Sequence, residues 1–266
     1  MDISIDDLRN LAFSLSGQVY KIMQDYQNRT CKSEDEAISQ CMIQMACDKM
    51  MSVVTLLDNG IFMNVEGKQV KLDATLSPLS ICRSLYELVL IHHALFVNPD
   101  NDEIKNILIN IWKIKGLWSR CKYDVSPQYN EQKQKDLEEI KALKDKIRNN
   151  PLYEEIPIEQ FERAFVSDKT GYFKLVKNAN KYNLTTVSFG DKSLFDKVFG
   201  DIDGIKKMGN DMTYNYLSSA SHPTYLSVFQ FGLQCQMELD QRWFSLNCSI
   251  IFMHCMINNH NKIFSK

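Results

Sequence analysis

The sequence predicts an all-α protein, a multi-helix bundle with one small loop or hairpin insertion near residues 58–75. Three observations predict it. Glycine and proline number only 10 and 6 of 266 residues, too few for the turn every ten residues or so that a sandwich or barrel demands. Helix-start signals recur at Ser33, Ser77-Pro78, Asp100 and Ser126-Pro127. Apolar residues return at three- and four-residue steps over much of the chain.

The first helix is expected from Ile5 to Gln27, on a stripe of Leu8, Leu11, Ala12, Leu15, Val19 and Ile22. The second starts at Ser33, where S-E-D-E reads as a capping box with Glu36, and its stripe runs through Ile38, Cys41, Met45 and Met51. Between Asp58 and Thr75, two short runs flank Glu66-Gly67-Lys68, a hairpin or ordered loop. Ser77-Pro78 opens a third helix to Val97 that is apolar on most sides and therefore central. A fourth runs over 101–120. A fifth, from 127 to 150, is charged and peripheral, with a thin stripe at Leu137, Ile140, Leu143 and Ile147. Short helices are expected at Ile158–Phe165 and Lys192–Phe199, and long ones at Ile202–Ser221 and Gln234–Asn259. Strand content is confined to residues near 61–72 and 182–190. No linker or repeat divides the chain, so residues 1–266 read as a single helical domain.

The balance of 31 basic and 33 acidic residues, net −2, creates no field favouring nucleic acid or a membrane. No G-x-G-x-x-G or G-x-x-x-x-G-K-[ST] is present, which removes the common nucleotide sites. The N-terminus lacks a basic start and an apolar core, and eight scattered cysteines read as reduced core thiols, so a cytoplasmic location is expected. The apolar run Trp243–Ile257 contains Asn247 and His254 and reads as a buried helix rather than a membrane span. No cofactor and no metal are expected. His92 and His93 point about 100° apart on a helix, and Cys248, His254, Cys255 and His260 lack the paired spacing of a zinc site.

Two constellations carry chemistry. Arg83 and Glu87 stand i, i+4 in the most apolar helix, where unpaired charge is costly. Asn210, Tyr214, Ser218 and His222 are spaced by four, so they run along one helix face, and His222 precedes Pro223 at its C-terminus, where the helix dipole favours imidazolium. Arg83, Glu87, Tyr214, Ser218 and His222 are expected to meet as one polar cluster, with His222, Arg83 and Glu87 the catalytic candidates. Glu87 would hold His222 protonated, and its removal would strand a buried arginine at roughly 3–5 kcal/mol.

R-S-L-Y-E at 83–87 and Y-x-x-L-S-x-x-S-H-P at 214–223 resemble a widespread bacterial family of uncharacterised all-helical proteins, a domain of unknown function. The resemblance implies convergence of these residues and brings no activity. A more distant likeness is to HEPN-type helical nucleases, which pair an Arg and a His in metal-independent RNA cleavage. Arg83 and His92 lie too far apart for that motif, and Asn215-x6-His222 lacks the guanidinium. Two readings follow: an interaction or regulatory module with a polar pocket between helices, or a metal-independent nuclease or other hydrolase using His222 and Arg83. The partner is open, protein or RNA, as is the oligomeric state.

Overall fold

In a computed structural model, the residues described are 4–264 except 73, 75, 124, 125, 167–170, 180, 201 and 223–238. Nine α-helices stand among them, 74% of the fold is helical, and two small two-stranded sheets complete it. The chain divides into two compact units, Met1–His92 with Gly190–Lys266, and His93–Phe189.

In the first unit, α1 (Ile5–Asn28) begins at a reciprocal cap: Ser4 Oγ accepts from the Asp7 N–H at 3.1 Å, and Asp7 accepts from the Ser4 N–H at 3.2 Å. Helix α2 (Glu34–Asn59) is capped by Ser33, whose hydroxyl accepts from the Glu36 N–H at 3.2 Å. Ser33→Ala should therefore lower the urea unfolding free energy by about 1 kcal/mol. Glu36 does not return the bond expected of a capping box; its carboxylate is turned inward. The buried face of α2 carries Glu36, Ser39, Ile43, Ala46, Met50, Val53 and Leu57, while Cys41 and Met45 are exposed. The expected stripe was thus out of phase.

Of the two expected forms, hairpin or ordered loop, the segment takes the hairpin, with strands β1 (Ile61–Val65) and β2 (Lys68–Leu72) paired antiparallel. Its two-residue turn needs positive φ at both positions, and Glu66 (51°) and Gly67 (79°) supply it. Helix α3 (Ser77–His92) starts one residue earlier than predicted and ends at His92. It packs on α2, on α8 (Asp203–Ser221) and on α9 (Leu239–Phe264), the central position its composition implied. Tyr86 of α3 stacks on Phe199 of α7 (Lys192–Phe199) with ring centroids 5.7 Å apart, and both meet Phe252 of α9. Within α8, Gly209 has φ 68° and ψ 167°, a kink that suits a residue without Cβ.

In the second unit a π-helical turn, His93–Val97, precedes α4 (Asp102–Cys121). The α4 cap is Asn101, which accepts from the Ile104 N–H at 2.8 Å, rather than Asp100. Ser126-Pro127 opens only a 3₁₀ turn, and α5 runs Asn130–Arg148. Its buried face starts at Asp136, not Leu137, because Arg120 of α4 grips that carboxylate through Nε and Nη2 at 2.6 and 2.5 Å. A second hairpin, β3 (Tyr172–Asn178) with β4 (Lys181–Val187), occupies a stretch where the sequence suggested a strand only near 182–190. Helix α6 (Ile158–Val166) is tied to it by Gln160, whose Oε1 accepts from the Leu184 N–H at 2.7 Å.

The segment Ser77–Val97 is the one described stretch long and apolar enough to cross a membrane, and 61% of that window is buried within the protein.

Candidate functional site

Four of the five residues expected to cluster, Arg83, Glu87, Tyr214 and His222, come together between α3 and the C-terminal end of α8. Arg83 Nε donates to Glu87 Oε1 at 3.1 Å, Arg83 Nη1 meets His222 Nε2 at 2.6 Å, and the guanidinium lies 5.7 Å from the Tyr214 ring centroid. Ser218 lies on the same helix, half-buried, but enters none of these contacts. The side chain of Asn210 falls outside the described residues. Arg83 is the hub, since one rigid guanidinium can serve an acid, an imidazole and a ring face at once.

Hydrogen-bond roles revise one expectation. A guanidinium only donates, so His222 Nε2 must present its lone pair to Arg83. Glu87 binds Arg83 and not His222, so it does not hold an imidazolium in place. The pair is also wetter than its helix suggested: the side chains of Arg83 and Glu87 are 16% and 27% exposed. Solvent screening at that exposure reduces the expected cost of Glu87→Ala to about 1 kcal/mol, below the 3–5 kcal/mol of a sealed pair, measurable by chemical denaturation.

Sequence reasoning missed a second polar network, on α1, α2 and α9. Glu36 is fully buried, at 0% exposure. Arg29 Nη2 donates to its Oε1 at 2.7 Å and Nη1 to its Oε2 at 3.3 Å; the Lys32 N–H also donates to Oε2. Tyr26 donates its O–H to Oε1 at 3.1 Å and meets His260 Nε2 at 3.0 Å. His260 Nδ1 lies 3.0 Å from Ser39 Oγ, which lies 2.7 Å from His92 Nε2.

The ionised Glu36 fixes the polarity of this chain, because a carboxylate accepts only. Tyr26 must donate to it, so the phenol oxygen accepts the His260 Nε2–H. His260 Nδ1 then accepts from Ser39, whose oxygen accepts the His92 Nε2–H. Every proton points towards Glu36. The hydrogen bonds from Arg29 hold the Glu36 carboxyl down at about 2. Burial pushes His260 down to about 4, with Glu36 opposing, and lifts Tyr26 to about 12. A cavity of about 470 Å³ opens beside the network, lined by Ile22, Tyr26, Arg29, Lys32, His260 and Phe264 among others.

The periodic signal for this network was present in the sequence. Glu36 and Ser39 continue the three-four spacing of Ile43, Ala46, Met50, Val53 and Leu57. The histidine–cysteine group of α9 separates instead of converging: His260 joins the network, while the Cys248 and Cys255 thiols are buried and burial raises both, the latter to about 12. Among the described residues no group of three His, Cys, Asp or Glu side chains converges to hold a metal ion. Comparison with protein-family models, curated proteins and solved structures finds no match to this chain.

Proposed function

We propose that this chain is a helical interaction or regulatory module, with the Arg83–Glu87–Tyr214–His222 cluster as its polar recognition wall. The observation that carries this reading is the commitment of Arg83 to three groups at once, Glu87, His222 and the Tyr214 ring. In that arrangement the His222 Nε2 lone pair is directed at a guanidinium rather than held ready for a substrate proton. His222 is exposed and Arg83 and Glu87 are partly so, so a partner can reach the cluster and exchange one set of hydrogen bonds for another.

The hydrolase or nuclease reading rests on the same 2.6 Å contact, which sets a potential proton carrier beside a potential oxyanion stabiliser. One experiment separates the two readings. The protein and its His222→Ala and Arg83→Gln variants are incubated with single-stranded RNA, and native mass spectrometry of gently purified material records retained partners. The module reading expects no cleavage by any form, and a retained species lost in His222→Ala while its stability stays within about 1 kcal/mol of the parent. RNA cleavage that disappears in both variants would overturn it in favour of the nuclease.

A further inference from the structure

We propose that the cavity at the C-terminal ends of α1 and α9 is a second binding site, taking a small organic carboxylate with an apolar or aromatic body. The inference does not depend on the Arg83–His222 cluster, since it rests on different residues.

The anchoring group is Arg29. Its Nη1 donates to Glu36 Oε2 and to the Thr30 carbonyl, at 3.3 and 3.4 Å, and its Nη2 donates once, to Glu36 Oε1 at 2.7 Å. Its Nε–H has no hydrogen-bond partner among the described residues, and the side chain is 38% exposed. A guanidinium occupied at its end retains a second edge, Nε–H with one Nη–H, which matches a carboxylate in parallel bidentate geometry. That edge is preorganised: Glu36 is fully buried and cannot follow solvent, and the guanidinium carbon sits 4.6 Å from the Tyr26 ring centroid. Little rotamer entropy remains to be lost on binding.

The rest of the lining defines the ligand body. Ile22 and Phe264 offer apolar surface, and Asn28 brings an amide to the wall. Lys32 and Asp25 bring one charge of each sign. With Arg29 neutralised by Glu36, the net field is near zero, so recognition rests on the directional fork and the apolar wall. A monoanion fits better than a polyanion. The volume of about 470 Å³ lies within the usual range for small-molecule pockets.

The test uses the full chain at low ionic strength with three probes: benzoate, its neutral isostere benzamide, and acetate, which has the charge without the ring. Binding is followed by two-dimensional NMR and calorimetry. Benzoate should saturate the site with a Kd on the order of 1 mM, as expected of a nine-atom ligand. Acetate and benzamide should each bind at least about tenfold more weakly, having lost the ring or the charge-assisted fork. Arg29→Lys keeps a cation beside Glu36 but removes the fork, and should weaken benzoate about tenfold. Phe264→Ala, on the cavity wall, should weaken benzoate at least about threefold and leave acetate unchanged. Absence of saturable benzoate binding to the parent protein would overturn the proposal. So would equal affinity for benzamide, or benzoate affinity unchanged in a folded Phe264→Ala protein.

Discussion

Replacing Glu36 by alanine lowers the unfolding free energy by about 3–5 kcal/mol, the largest single effect expected in the protein. The carboxylate is fully buried and accepts from Arg29, Tyr26 and the Lys32 N–H. Truncation leaves those donors without their acceptor, and a buried donor that loses its partner costs more than the bond itself contributes. Arg29 is 38% exposed and can turn to water, which places the cost towards the lower end of that range. Glu36→Gln is the informative companion, because it keeps shape and removes charge. Its amide accepts at one oxygen only, so it should recover part of the loss, measured as a higher urea midpoint than Glu36→Ala at unchanged slope. Equal stability of Glu36→Ala and the parent would mean that the network is ornamental.

The second large effect is loss of stability in acid in two consecutive windows. His260 is buried, 3% exposed, and its pKa falls from 6.5 to about 4 on folding. The unfolded chain therefore binds its proton more readily than the native chain between those values. By linkage, stability is complete above pH 6.5 and declines as pH falls towards 4, by roughly 2–3 kcal/mol. Glu36 falls from 4.5 to about 2, so its contribution is complete above pH 4.5 and is lost as pH falls towards 2. The groups facing His260 are Tyr26 and Ser39, with the Glu36–Arg29 pair behind Tyr26 and His92 behind Ser39. Glu36 favours the imidazolium and Arg29 opposes it, and burial outweighs both. His260→Phe retains a ring beside Tyr26 and Phe264, and Ser39 can donate to His92 once that imidazole changes tautomer. The variant should therefore lose the pH 6.5-to-4 decline and keep the lower one, read from urea midpoints across pH. Persistence of the upper decline in His260→Phe would assign it to another group.

Both effects concern residues whose roles became visible in different ways. The α2 stripe shows why. Ile38, Cys41, Met45 and Met51 form an acceptable helical pattern, but Cys41 and Met45 are exposed. The buried face has equally regular spacing and begins with Glu36 and Ser39, whose polarity disqualified them from a hydrophobic reading. Glu36 was also claimed by a local pattern, the capping box. A local rule competes with burial, and here Arg29 and Tyr26, brought close by the turn between α1 and α2, decided the outcome.

What the sequence by itself determined is the helical fold class, a hairpin or ordered loop near residues 58–75, and the central place of α3. These follow from local causes: capping hydroxyls, a Glu-Gly turn that accepts positive φ, scarce glycine and proline, and an apolar periodicity. It also placed Arg83, Tyr214 and His222 on faces that meet, since charge in an apolar helix must find partners. What only the tertiary structure decided is which partner each group takes. Arg83 turned His222 into an acceptor, Arg120 drew Asp136 into the α5 face, and Glu36 fixed the direction of every proton from His92 onward. Those choices rest on distances of 2.5 to 3.1 Å between residues of different helices or helix ends. Periodicity is a property of neighbours along one helix, whereas hydrogen-bond polarity belongs to the whole network once its acceptor is in place.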